Sequence, residues 1–480
     1  MDEVGTIEPS RALEQVGSGA EPTQLYRALR MVTRAALGLF YRHVQVTGLE
    51  SLDPAVPTIL AATHPNSIVD PLLVGMSEQR QVTFCARDGL FRVPVFGTLL
   101  RAVGAVAIRR RSDHAGAVDN DAAFAECRAA LARGGVISIF PEGKTHGHLR
   151  VEPMKTGVAR IAIDALPAAP DLVIVPVGLN YLVREAFRSD VHVAFGEPLR
   201  VGAVLAELAA RGALDGDDPR AAVRALTERL GEALRAQAIH IEREEDERLI
   251  AQVTALIVDI REAEGLESQT PADRTALVRR IVDAYRWLEE HDPVRCARLR
   301  ERVMHYADER RRLGLGGLGT ALQKRGERRW GREDRSIFGP FALIFSAPFG
   351  LAGIAVAIVP YAVLRLILLL SRPTSYRVAL TKLLGGTALF GAWFALLTWS
   401  TLKLAGFWPA VAVGASLVPL AVFAHRYVID LRLHRFAVRT NLRKLVARRR
   451  FLRLKFERRR LTRELASLRT LYLGQRPHQS

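Results

Sequence analysis

Two short segments of this 480-residue chain carry side chains able to move a proton. The first is His64-Pro65-Asn66-Ser67-Ile68-Val69-Asp70-Pro71, directly after the apolar run TILAAT (58–63). A carboxylate shortly after an imidazole can fix its tautomer and orientation, so that His64 accepts a proton from a hydroxyl. The same residues have a plain structural reading, with Asp70 as a helix N-cap and Pro71 at the first helical position. The second segment is Ile139-Phe140-Pro141-Glu142-Gly143-Lys144-Thr145-His146. Its Gly-Lys-Thr suggests a phosphate-binding P-loop, but that motif needs a glycine where Ser138 stands. What remains is a loop presenting Glu142, Lys144 and His146 to an anionic group, or a Pro-Glu-Gly turn with exposed charges. A third segment, Gly104 to Arg111, ends in three consecutive arginines. Arginines at a strand exit suit bidentate phosphate recognition; a solvated charge run is the other explanation.

Composition narrows the partners. The formal net charge is +18, and only seven of the basic residues are lysine. Such an excess points to an anionic partner: nucleic acid, acidic lipid headgroups or a phosphorylated substrate. The cysteines (Cys85, Cys127, Cys296) are scattered and odd in number, which argues against a disulfide framework or a structural zinc and fits a reducing compartment. No metal-ligand set is evident and no cofactor is expected. Residues 1–23 lack the basic start and apolar run of a signal peptide, so the N-terminal domain is expected in the cytoplasm.

The elements that must position these residues follow from periodicity. Residues 24–41 read as an amphipathic helix with Arg27, Arg30 and Arg34 in one stripe, fit either for a membrane interface or for packing on the next domain. From 43 to 200, seven short runs read as strands: 43–48, 58–63, 81–86, 105–108, 136–140, 172–181 and 191–196. Several are apolar on both faces, as expected when helices cover both sides of a sheet. The fold class is α/β, a mixed sheet flanked by helices, followed by an all-α accessory region and membrane-embedded helices. The expected division is 1–42 (polar N-terminus and amphipathic helix), 43–202 (α/β domain) and 203–335 (helical accessory region, ending in a linker with glycines at 314–319). Then come 336–428 (membrane-embedded helices) and 429–480 (basic amphipathic tail).

The apolar runs near 336–364, 383–402 and 404–424 each have the length to span a bilayer. Arg332 and Arg335, then Arg372, Arg377 and Lys382, then the tail, all carry positive charge, which favours the cytoplasmic side. Two hairpins satisfy that bias, one within 336–371 bent at a proline and one over 383–424. Few aromatics accompany the tail arginines, so lipid contact is the better reading than nucleic acid, which is not expected as a partner.

Taken together, the blocks HPNSIVDPLLV, the Arg109 cluster, IFPEGKTHGHLRVEPMKTGVA and VIVPVGLNY resemble, in order and spacing, the glycerolipid acyltransferase superfamily. That superfamily carries a His-x4-Asp block, an arginine block, a Phe-Pro-Glu-Gly block and a Val-Pro block over what are here residues 44–200. The phrasing is similar to fungal-type glycerol-3-phosphate/dihydroxyacetone-phosphate acyltransferases and their bacterial relatives. Two departures stand out: five residues separate His64 from Asp70, and Lys144-Thr145-His146 replaces the usual Thr-Arg-Ser.

The resemblance implies an O-acyltransferase of the glycerol-phosphate type with His64 as general base and Asp70 as its partner. Glu142 and Gly143 would shape the acceptor site, and Arg109, Arg110, Lys144 and Lys155 would neutralise the phosphate. The partners implied are an acyl thioester donor (acyl-CoA or acyl carrier protein), a glycerol-phosphate-type acceptor and membrane lipids, at the inner face of a cell membrane. The alternatives are a lysophosphatidate acyltransferase and a membrane scaffold with an inactive domain.

Overall fold

The computed structural model describes residues 22–93, 96–110, 119–184, 186–212, 220–263, 270–313, 339–371, 378 and 381–474. Residues 1–21, Arg111, the glycines at 314–319, Arg332, Arg335, Arg372 and Arg377 lie outside the described residues. By internal contact the chain divides into two units. One holds Met1–Tyr181, Asp190–Glu242 and Pro271–Thr275; the other holds Leu182–Ser189, Arg243–Thr270 and Ala276–Ser480.

The first unit is built on a mixed sheet. Its strands are β1 (His43–Thr47), β2 (Thr58–Ala62), β3 (Val82–Arg87), β4 (Val106–Ile108), β5 (Val136–Ile139), β6 (Val173–Tyr181), β7 (Asp190–Phe195) and β8 (Leu199–Arg200). They lie in the order β1-β7-β6-β2-β5-β3-β4, with β8 paired to β6. Strands β6, β2, β5, β3 and β4 run parallel to one another, β7 and β8 run antiparallel to β6, and β1 pairs parallel with β7. All seven strands read from the sequence are present; only the two-residue β8 carries too little pattern to be seen.

Helices cover this sheet: α1 (Gln24–Phe40), α2 (Val69–Ser77), α3 (Phe96–Ala102), α4 (Asp121–Ala132), α5 (Gly157–Ala165), α6 (Val201–Ala210) and α7 (Ala221–Gln237). The core joins Ile59, Ile137 and Ile174 from the strands to Leu131, Ile161, Leu226, Leu230 and Leu234 from the helices. The last three, at i, i+4 and i+8 on α7, correct the expected boundary at 202. An Ala/Leu/Arg-rich helix declares its apolar stripe but not its partner, and here the partner is the sheet. Gly178 of β6 permits the approach, because a Cβ there would lie 2.2 Å from the Gln237 carbonyl oxygen.

Two arginines of the α1 stripe, Arg30 and Arg34, reach the protein body. Arg30 donates to the carbonyls of Glu78 (3.1 Å) and Gln79 (2.6 Å), and Arg34 to that of Met76 (3.0 Å). These carbonyls lie at and just past the C-terminus of α2, where a helix dipole favours cations. Of the two readings of residues 24–41, packing on the domain accounts for these two arginines. Leu25, Met31, Val32 and Leu39 are left exposed.

The second unit is helical. It holds α8 (Glu244–Ala263), most of α9 (Pro271–His291), α10 (Pro293–Arg312), α11 (Gly339–Ser371), α12 (Gly386–Ala405), α13 (Phe407–Val446) and α14 (Arg448–Gly474). Among the described residues, three stretches are long and apolar enough to cross a membrane: Leu343–Ser371, Gly386–Ala405 and Phe407–Arg432.

The hairpin expected within 336–371 is not formed, since α11 runs unbroken through Pro348 and Pro360. Interior prolines are tolerated in apolar helices where neighbouring helices re-satisfy the backbone, and α11 packs closely on α13. A Cβ on Gly350 would meet the Tyr427 ring at 2.5 Å, and one on Gly353 the Leu420 carbonyl oxygen at 2.3 Å. Small residues three apart let the two backbones touch, and the falling partner numbers mean that the helices run antiparallel. Helices α12 and α13 meet at Gly406 (φ 88), where the chain turns between them.

Candidate active site

Strand β2 is buried along its whole length and sits centrally, between β5 and β6. Its pairing with β6 continues past the strand end: Thr63 N–H donates to the Val177 carbonyl (3.0 Å), and Leu179 N–H donates to Thr63 Oγ1 (2.9 Å). His64 is therefore presented at the C-terminal edge of the parallel strands, where ligands bind in open α/β sheets. Its Nδ1 lies 2.9 Å from Asp70 Oδ2, with the His64 side chain 11% exposed and that of Asp70 fully buried. With Nδ1 committed to the carboxylate, Nε2 is the nitrogen left to accept a proton. The Phe140 ring stacks on the imidazole at 4.2 Å between centroids.

Between His64 and Asp70, Ser67 takes a left-handed φ of 53. That conformation costs a non-glycine residue about 1–2 kcal/mol. It turns the chain so that Asp70 enters the first turn of α2 with Ile68, not Asp70, at the cap. The capping expectation is thus off by two residues. The carboxylate reaches back to the Asn66 N–H at 2.6 Å and to His64, rather than forward along the helix.

The Phe-Pro-Glu-Gly loop follows β5, the neighbour of β2. Glu142 is 1% exposed. Its Oε1 accepts from the His64 backbone N–H at 3.3 Å, and its Oε2 pairs with His146 Nε2 in a very short contact. Burial alone would push the His146 imidazole down, but the Glu142 pair, with Glu152 nearby, outweighs it and leaves the pKa raised. The imidazole that replaces the usual Thr-Arg-Ser serine is thus a partner for Glu142.

A raised folded-state pKa means that His146 contributes its full stability below about pH 6.5, the ordinary histidine value. The contribution is lost as pH rises through the folded value. The thermal midpoint should therefore fall as pH rises above about 6.5, and His146→Gln should flatten that slope. Identical slopes for the two proteins would exclude the pair as its source.

Gly143 has φ 72 and donates its N–H to the Phe140 carbonyl at 3.1 Å. The Lys155 chain crosses it, because a Cβ at 143 would lie 3.4 Å from Lys155 Cγ. Lys155 is exposed and held here by its own N–H to the Pro141 carbonyl (2.7 Å). Lys144 is exposed and pairs loosely with Glu152 at 3.8 Å. Arg109 and Arg110 follow β4. Asn120 grips the Arg109 backbone at both N–H (2.9 Å) and C=O (3.0 Å). Strand β4 is three places from β2, about 14 Å across the sheet. The structure thus gathers His64, Asp70, Glu142, Gly143 and Lys155, and leaves the arginines at the rim.

Four contributors escaped the sequence reading: Phe140, His146 as a partner of Glu142, Asn66 and Tyr181. Tyr181 donates to Asp70 Oδ1 at 2.5 Å, and Asn66 Nδ2 donates to the Tyr41 hydroxyl at 3.2 Å. The one signal available was position, since Tyr181 ends a run read as a strand of the same sheet. Among the described residues no group of three or more His, Cys, Asp or Glu could hold a metal ion.

The family model described as "Acyltransferase" matches residues 43–180. An uncharacterized acyltransferase of Schizosaccharomyces pombe is 28% identical over 206 residues, 41% of this chain and 28% of that protein. Glycerol-3-phosphate O-acyltransferase 2 of Saccharomyces cerevisiae is 34% identical over 119 residues, 24% of this chain and 15% of that protein. The chain thus spans less than a third of either yeast relative. The crystal structure of the 1-acyl-sn-glycerophosphate acyltransferase PlsC of Thermotoga maritima aligns over 44% of this chain and 80% of that one, at 21% identity and a TM-score of 0.31. Residues 43–180, which hold the His64–Asp70 pair, match an acyltransferase domain, and the relatives are consistent with the glycerolipid acyltransferase superfamily.

Proposed function

We propose that this chain transfers a fatty acyl group from an acyl thioester to the hydroxyl of glycerol 3-phosphate or dihydroxyacetone phosphate at a membrane surface. The observation that carries the reading is the 2.9 Å His64–Asp70 contact at the mouth of β2. His64 Nε2 takes the proton of the acceptor hydroxyl as its oxygen attacks the thioester carbonyl. The tetrahedral intermediate then expels the thiolate, the C–S bond breaks, and the imidazolium returns its proton to sulfur. No acyl-enzyme forms, so no serine or cysteine nucleophile is needed. Lys155 beside Gly143 is the cation best placed for the acceptor phosphate, with Lys144, Arg109 and Arg110 further out. The donor is acyl-CoA or acyl carrier protein, and no cofactor takes part.

The yeast relative named for glycerol 3-phosphate favours that acceptor; lysophosphatidate is the rival. Membranes containing the protein, supplied with acyl-CoA and each of the three acceptors, decide between them. Preferred acylation of lysophosphatidate would overturn the acceptor assignment, and transfer to none would overturn the enzyme.

The membrane block supports two complete crossings, by α11 and α13, with the catalytic domain on the cytoplasmic side of the inner membrane. The two helices are antiparallel, and α14 returns to helices that precede the first span. There Trp287 meets Tyr472 (5.8 Å), Arg302 pairs with Glu464, and Arg295 reaches Ser467 (3.2 Å). Chain before and after the block therefore shares one side. Helix α12 starts against Leu364, near the end of α11, and ends at Gly406, where α13 begins. That geometry suits a helix entering and leaving by one face. The exposed Arg449, Arg453, Arg459 and Arg460 of α14 are then free to meet anionic lipid, at about 1 kcal/mol per charge near the surface.

Single cysteines at Ser467 and Gly406 should differ in labelling by an impermeant reagent on sealed vesicles. Ser467 should share the side of the catalytic domain and Gly406 should lie opposite. Three complete crossings would reverse both.

A further inference from the structure

Asp70 is fully buried, and a carboxylate withdrawn from water needs donors on both oxygens. Oδ2 receives the His64 imidazole (2.9 Å) and the Asn66 N–H (2.6 Å). Oδ1 receives the Tyr181 hydroxyl at 2.5 Å. Strand β6 explains how the tyrosine arrives there. It is parallel to β2, with Ala62 opposite Val177, and it continues four residues further. At about 3.3 Å per residue that carries Tyr181 roughly 13 Å past the end of β2.

The neighbouring Asn180 points to the other face, as alternation requires. There its amide is clamped to the end of α7, accepting from Ile239 N–H (2.8 Å) and donating to the Gln237 carbonyl (3.0 Å). On the site face the Tyr41 ring lies 6.0 Å from that of Tyr181, and the Tyr41 hydroxyl accepts from Asn66 Nδ2. Tyr181 is thus locked from both sides, with its hydroxyl aimed at one oxygen.

We infer that Tyr181 is a positioning residue of the acyl-transfer reaction, acting through Asp70. By occupying Oδ1 it fixes the plane of the carboxylate, so that Oδ2 faces His64 Nδ1. It also withdraws charge from the oxygen pair that stabilises the imidazolium. Burial, reinforced by the Asp70 charge, holds the Tyr181 pKa well above the ordinary value, so the hydroxyl keeps its proton and serves as a donor. The inference rests on the function proposed above.

Tyr181→Phe removes only the hydroxyl. The kcat should fall about tenfold, the scale of one hydrogen bond to a charged group, while the acceptor KM stays within about twofold. The acidic limb of the kcat–pH profile should move to higher pH, because an Asp70 that no longer shares its charge favours the protonated imidazole. Replacing Tyr181 by 3-fluorotyrosine, a stronger donor of nearly the same shape, should move that limb to lower pH.

The other ionisable or polar groups around His64 are Glu142 on its backbone N–H, His146 behind Glu142, and Tyr41 beyond Asn66. They are identical in both variants, so opposite shifts identify the hydroxyl. A residue serving packing alone would move neither limb. An unmoved limb with wild-type kcat in Tyr181→Phe overturns the inference.

Should the unmodified protein acylate none of the three acceptors, the function itself has failed. The inference is then judged by titrating ring-15N-labelled His64. Tyr181→Phe must raise its midpoint, and an unchanged midpoint overturns it. If Tyr181→Phe does not fold, the fluorotyrosine protein decides the matter by the same readouts.

Discussion

Replacing His64 by alanine should lower kcat by about 10²–10⁴-fold, the range for a positioned general base, with KM for both substrates little changed. The fold should survive the loss, because the buried Asp70 keeps the Asn66 N–H on one oxygen and the Tyr181 hydroxyl on the other. The imidazole ring meets Asp70 and the Phe140 face, while the backbone N–H that Glu142 holds survives the substitution. The variant should therefore remain folded and remain in the membrane fraction. Asp70→Asn should approach the same loss by a different route, because an amide cannot hold the imidazole in the same tautomer with equal strength. Steady-state kinetics alongside a thermal melt and a membrane-fraction blot read all of this. Wild-type turnover in His64→Ala would remove the general base from the mechanism.

The second large effect belongs to Glu142, and it should appear in stability rather than in substrate affinity. Its carboxylate is buried, with one oxygen on the His64 backbone and the other on His146. Glu142→Ala removes the buried acceptor of both His146 Nε2 and the His64 N–H, and each buried donor left unsatisfied costs about 1–3 kcal/mol. A matching fall in denaturation midpoint is expected, together with lost activity because His64 is no longer fixed at its backbone.

Adding His146→Leu to Glu142→Ala removes one of the unsatisfied donors. The double variant should recover part of the stability while the activity stays low. A residue that only shaped the acceptor site would behave otherwise, raising KM at an unchanged melting temperature. That outcome would restore the role implied by the family resemblance.

Much of this was legible in the residues. Strands β1 to β7 are short runs of β-branched and apolar side chains between turn formers, so local pattern located them. The His64 and Asp70 pair was legible because both lie in one short segment, where spacing limits how far apart they can fold. The apolar lengths of α11, α12 and α13 were equally plain, because hydropathy is a property of the segment itself.

What each element packs against was not legible, since it depends on partners distant in the chain. The stripe Leu226, Leu230 and Leu234 announces a buried face without naming the sheet that buries it. Pro348 and Pro360 break helices in water, yet α11 continues because Gly350 and Gly353 let α13 lie against it. The arginines of α1 suit a membrane interface and a packed helix equally until the carbonyl end of α2 comes within reach of Arg30 and Arg34. Tyr181 stands 111 residues from Asp70 in sequence, and only the parallel register of β6 on β2 brings its hydroxyl to the carboxylate. Composition and spacing thus determined which groups could do chemistry; the tertiary structure decided which of them meet, because hydrogen bonds and close packing act over a few ångströms whatever the separation along the chain.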